Sequence, residues 1–84
     1  MAKTRAFETS PLPLEAQAAL QALGAQLALT RKERGYSQRV FSDIAEVSLP
    51  TLVKMERGEP SVQIGYYARA AWLLDVVFPS LVNA

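Results

Sequence analysis

Apolar residues along the chain fall into clusters of helical period, separated by short stretches that carry proline, glycine or serine. The longest cluster follows Ser10-Pro11-Leu12-Pro13, where prolines remove amide donors and push the residues before them towards extended backbone. From Leu14 the chain is rich in Ala, Leu, Gln and Glu, and Leu20, Leu23 and Leu27 recur at i, i+3 and i+7. This predicts a helix over 14–34 packed on one side. Arg31, Lys32 and Arg34 suit the negative pole of that helix, and Gly35 supplies a left-handed stop. Gly24, inside it, costs about 1 kcal/mol relative to Ala, which predicts that another element approaches closely there.

Two short helices come next. Ser37 is placed to cap a helix over 38–45, with Phe41, Ile44 and Ala45 turned towards the core. It is too short to be stable alone, so packing must hold it. Glu46-Val47 forms a tight turn, and Ser48 caps a helix over 49–57 that carries Pro50 in its first turn and ends before Gly58. Leu52 and Met55 give that helix its inward face. After Glu59-Pro60-Ser61, the residues Ile64, Tyr67, Ala68, Ala71 and Leu74 map onto one side of a fourth helix ending near Asp75. Tyr66, Tyr67 and Trp72 stand at helical spacing on it, which favours core or dimer packing over base stacking. The apolar run Val76 to Ala84, interrupted by Pro79, fits either a short fifth helix or an extended strand. Its apolar character favours packing on the core or on a second subunit. The pattern is thus all-α, a compact domain of four to five helices, with an N-terminal arm over 1–12, a helix-turn-helix domain over 13–76 and a C-terminal tail over 77–84 as dimer contact.

Composition narrows the chemistry. At 84 residues the chain allows one compact domain, which buries only about 60–65% of its unfolded surface, so a dimer partner would add useful burial. It contains neither Cys nor His, and so lacks disulfides, a thiolate nucleophile, the commonest metal ligand and the usual general base. Its spacing assembles no paired carboxylates, phosphate-binding glycine loop or activated nucleophile. The expectation is a non-enzyme without metal or cofactor. No signal-peptide pattern and no apolar run of membrane-spanning length is present, so no membrane partner and a cytoplasmic location are expected. Net charge is only +1, so any attraction for nucleic acid has to be local.

Two short helices joined by about three residues form a helix-turn-helix if they cross steeply, although any small helical domain contains tight pairs. More specific is the order Leu23-Gly24-x-x-Leu27-x-x-x-Arg31-Lys32-x-Arg34-Gly35-Tyr36-Ser37-Gln38, followed by Val47-Ser48-x-x-Thr51-Leu52-x-x-Met55-Glu56-Arg57-Gly58. It resembles the XRE family, the helix-turn-helix proteins like the Cro and cI repressors. Ser48-Leu49-Pro50-Thr51-Leu52 and Glu56-Arg57-Gly58-Glu59-Pro60 make it similar to the short HipB-type antitoxins. The resemblance covers about residues 20–76. It implies a transcriptional repressor that binds a double-stranded DNA operator as a homodimer, autoregulates a HipBA-like toxin–antitoxin operon and holds a HipA-like kinase.

Residue by residue, the resemblance gives Gln38 a phosphate or base contact, against the plainer reading of an exposed first-turn polar residue. Amides at the start of the same helix can hold a phosphate. The helix over 49–57 matches the recognition helix, with Leu49, Pro50, Thr51 and Lys54 at base edges. Leu49 and Pro50 depart from the polar residues common there; they can meet a thymine methyl, and hydrogen bonding falls to Thr51 and Lys54. Direct readout is then modest, and dimer spacing and DNA deformability share in specificity. Arg31 and Glu56 match an ion pair of structural role. Arg39 and Arg57, with Lys32 and Arg34, are candidates for phosphate contact or for plain solvated charge. Between 31 and 57 six basic residues stand against four acidic ones, a small excess that predicts weak, salt-sensitive binding per subunit. Glu46 replaces the usual turn glycine, and Ser42 a small apolar residue at a close contact, which predicts a slightly reshaped turn. A protein-interaction module with weak or no DNA binding, built on the same scaffold, is the alternative.

Overall fold

The computed structural model describes residues 12–77, which hold four helices: α1 (Leu14–Glu33), α2 (Gln38–Ala45), α3 (Leu49–Glu56) and α4 (Ile64–Leu74). Among the described residues there is no strand. The arm and tail expected over 1–12 and 77–84 lie outside them except for Leu12 and Val77, as does most of the run for which helix and strand were open.

Local chemistry sets the helix ends. Pro13 opens α1, and the Gln17 side chain folds back to donate to the Leu12 carbonyl at 2.7 Å, tying the entry down. Ser37 and Ser48 cap α2 and α3, their hydroxyls accepting from the amides of Val40 at 3.0 Å and Thr51 at 3.2 Å. All four helices close with the paired bonds of a Schellman motif: Tyr36 N–H to Arg31 C=O, Val47 to Ser42, Glu59 to Lys54, and Val76 to Ala71. Gly35 and Gly58 take the left-handed position in two of them, while Glu46 (φ 61°) and Asp75 (φ 57°) take it in the others. The turn between α2 and α3 therefore has the backbone that a glycine would give it, held by a glutamate.

Ten residues form the core: Leu23 and Leu27 of α1, Phe41 and Ala45 of α2, Leu52 and Met55 of α3, and Tyr67, Ala70, Ala71 and Leu74 of α4. α1 packs on α3 and α4, and α2 packs on the same two helices. Leu52 and Met55 have no exposed surface, so each contributes about 2 kcal/mol by leaving water. Tyr36 stacks on Phe41, ring centroids 5.9 Å apart, and so closes the junction between α1 and α2.

Four residues depart from the pattern read along the sequence. Ile44 lies at the rim of α2, 41% exposed, because the inward face runs through Phe41, Ser42 and Ala45. Ser42 can be buried because its hydroxyl donates to the Arg39 carbonyl at 2.8 Å. Ile64 and Ala68 are exposed, and Ala70 is buried in their place. Alanines occur on both faces of α4, so hydropathy alone did not fix its rotation. Gly24 does mark a close approach: a Cβ there would sit on the carbonyl oxygens of Met55 and Glu56, and one on Gly58 would sit on the backbone of Leu20 and Gln21. The end of α3 thus docks on α1 backbone to backbone.

Candidate nucleic-acid interface

α3 owes its position to that glycine contact and to a buried ion pair. The Arg31 Nε donates to one Glu56 oxygen at 2.6 Å and its Nη2 to the other at 3.1 Å, while Nη1 donates to the Tyr36 carbonyl at 2.8 Å. Both side chains are more than nine-tenths buried. Three of the five guanidinium donors are thereby satisfied inside the protein, and the pair joins α1, the α1–α2 junction and the last turn of α3.

Gln38 enters the same cluster. Its Nε2 donates to Glu56 at 2.9 Å, so the first residue of α2 is tied to the last residue of α3. Sequence spacing carried no sign of this bond, because 18 residues separate its partners. Gln38 is half-buried, and its amide nitrogen is already engaged where the sequence suggested contact with DNA.

On the outer side of α3, Pro50 and Lys54 are exposed, and Arg57 follows at the helix end. Their spacing of i, i+4 and i+7 makes a single stripe. Thr51, three residues before Lys54, lies beside it and is half-buried, as is Leu49. The Ser48 hydroxyl donates to the Thr51 hydroxyl oxygen at 2.8 Å. Arg57 meets Glu59 only loosely, at 3.9 Å, with 70% of its side chain exposed. Arg39 and Lys32 are exposed on α2 and α1. The structure thus groups Leu49, Pro50, Thr51, Lys54 and Arg57 on one helix and its end, and leaves Arg39 on the neighbouring one.

Arg34 is engaged within the chain. Its guanidinium donates to the carbonyls of Leu73 (3.3 Å) and Leu74 (2.9 Å) and to the Asp75 carboxylate (3.0 Å), closing the end of α4. A cation there also suits the negative pole of that helix. Sequence reasoning missed this because the partners lie about forty positions away. Tyr67 likewise donates across the fold, from its hydroxyl to the Glu59 carbonyl at 2.7 Å; burial, and next the Glu59 charge, push its ionisation up from the ordinary 10.0.

Two short helices with a capped, left-handed turn, the second held by buried contacts and lined outside by cations, form a helix-turn-helix. No helix of the described residues is long and apolar enough to cross a membrane. No curated protein and no solved structure matches the chain. The profile of the helix-turn-helix domain matches residues 22–82, which takes in α2, α3 and α4 and most of α1. On that match and this geometry, the chain belongs to the helix-turn-helix domain family and has the build of a DNA-binding regulator.

Proposed function

We propose that this protein is a sequence-specific repressor that binds an operator as a homodimer, with α3 in the major groove. The observation that carries this reading is the outer stripe of α3, Pro50, Lys54 and Arg57 with Thr51 beside it, on a helix whose inner side is fixed by Arg31 and Glu56. Leu49 and Pro50 meet thymine methyls, Thr51 and Lys54 reach base edges or phosphates, and Arg39 and Arg57 hold the DNA backbone. Gln38 fixes α3 through Glu56 and offers its remaining amide capacity to a phosphate. Two copies join through the apolar surface of α4 and the tail after Asp75, where Trp72 is 77% and Val77 88% exposed. The test is a gel shift with the DNA upstream of the protein's own gene at low salt. A shift is expected, and the double substitution of Thr51 and Lys54 by Ala should weaken it without changing the unfolding midpoint. Absence of a shift at micromolar protein would sink the proposal.

The sequence likeness to HipB-type antitoxins extends the reading to autoregulation of a toxin–antitoxin operon and capture of a HipA-like kinase, in the cytoplasm. A kinase reading frame beside the gene, and co-purification of its product, are the expected findings. The half-buried Leu49, exposed Pro50 and exposed Trp72 favour a second reading, a module that binds a partner protein. Co-purification with a neighbour's product and no binding to DNA would select it.

A further inference from the structure

The hydrogen-bonding inventory of α3 is unusually one-sided. Apart from the buried Met55 sulfur, its side chains include only two that can accept a hydrogen bond, Thr51 and Glu56. Both Glu56 oxygens are taken, one by Arg31 Nε and the other by Arg31 Nη2 and Gln38 Nε2, and its side chain is 8% exposed. The Thr51 oxygen already accepts from the Ser48 hydroxyl, which leaves it one lone pair and its own proton, on a side chain that is half-buried. Lys54 and Arg57 carry donors only, and Leu49, Pro50 and Val53 carry neither donors nor acceptors in their side chains. Apart from that one lone pair of Thr51, everything α3 presents outward is therefore a hydrogen-bond donor or an apolar surface.

Base edges in the major groove differ in the matching property. Guanine shows two acceptors, thymine an acceptor beside a methyl group, adenine an acceptor and an amino donor, and cytosine an amino donor. An amino group facing Pro50, Lys54 or Arg57 finds no acceptor, whereas guanine N7 and O6 and the thymine O4 and methyl group find donors and apolar contact. We propose that α3 reads its half-site chiefly through base acceptors and thymine methyls, so that it favours guanine and thymine and draws little from an amino group. This rests on the reading of α3 as the major-groove helix. Its specificity is made by the internal capture of Glu56: the only carboxylate on the helix is withdrawn from the groove by Arg31 and Gln38.

The experiment uses the full chain and duplexes selected with it from a randomised pool, then resynthesised with one base altered at a time. In these, 7-deazaguanine removes the N7 acceptor, deoxyuridine removes the thymine methyl, and 2-aminopurine takes the adenine amino group out of the major groove while keeping N7. Loss of about fivefold in affinity is expected at one or more 7-deazaguanine or deoxyuridine positions, and change within about twofold at every 2-aminopurine position. K54Q supplies an acceptor on a side chain one atom shorter, and selection with it should gain an adenine that 2-aminopurine then weakens. A fivefold loss with 2-aminopurine in the unaltered protein, or indifference to all three bases, overturns the proposal while leaving DNA binding standing. Failure to select any duplex removes the DNA-binding reading itself, and this inference with it.

Discussion

Gly24, Gly35 and Gly58 differ in what a methyl group would meet. At Gly35 there is open space, so only the left-handed backbone (φ 78°) resists a side chain. Gly58 combines a φ of 74° with contact against the α1 backbone, and Gly24 faces the backbone of the last turn of α3. Urea unfolding should therefore rank the alanine substitutions: about 1 kcal/mol lost for Gly35→Ala, from the left-handed conformation alone, and about 3 kcal/mol or more for Gly24→Ala and Gly58→Ala, because backbone must move. Equal costs at the three sites would contradict the backbone-to-backbone docking of α3. Tyr67 gives a second expectation at this scale. Its folded-state ionisation lies above the ordinary 10.0 through burial and the Glu59 charge. The unfolded chain thus releases the phenolic proton first, so the contribution of Tyr67 is complete below pH 10 and is lost as pH rises through the folded value. Y67F should unfold about 1 kcal/mol more easily at neutral pH, having lost the bond to Glu59, and should show a shallower alkaline decline than the parent in melts taken from pH 8 upward.

Between elements, the Arg31, Glu56 and Gln38 cluster decides how α2 and α3 sit on α1. Removing one member of a buried pair strands the other, at a cost of about 3–5 kcal/mol. E56A should therefore be far more damaging than the double change R31M/E56L, which removes both charges and keeps apolar bulk. Chemical denaturation of the three proteins measures this, and a double variant as weak as E56A would show that the pair contributes more than it costs to bury. Q38A, which leaves the ion pair whole, should lose about 1–2 kcal/mol. At the same scale the limits of the sequence become physical. Helix bounds were legible because Ser37, Ser48, Pro50, Gly35 and Gly58 act on their immediate neighbours. The Arg31–Glu56 pairing came from family likeness, whereas the Gln38–Glu56 bond and the Arg34 clasp on α4 link residues 18 to 41 positions apart, where no local pattern can register. Ile44 and Ile64 were misplaced for a related reason: an apolar residue at the margin of a short helix is buried only if a partner covers it, and the partner is set by tertiary packing. Glu46 shows the converse. Its mismatch with a glycine position was legible, yet the backbone adopts the left-handed conformation nonetheless, because the Schellman bonds, the burial of Ala45 and the packing of half-buried Val47 against the core hold it.

At the scale of the whole molecule, charge and association become a single question. The excess of positive charge between 31 and 57 is already small, and the structure spends two of its cations internally, Arg31 on Glu56 and Arg34 on the end of α4. Arg39, Lys54 and Arg57 remain on the helix-turn-helix side for phosphates. Each neutralised phosphate adds about 0.9 to the steepness of log affinity against log salt. A lone copy with these three cations should therefore show a slope of about −3, and two linked copies a slope of about −5. Fluorescence anisotropy on a selected duplex over a salt series reads the slope, and sedimentation equilibrium reads the association state. Trp72 ties the two measurements together: it is 77% exposed on α4, and a charge there would oppose burial against a second copy. W72E should sediment as a monomer, fold as stably as the parent at low concentration, and bind with the shallower slope. If W72E remains dimeric with the slope near −5, the surface that joins the copies lies elsewhere; if the parent itself gives about −3, the protein meets DNA one copy at a time, and its affinity must come from base contacts on α3.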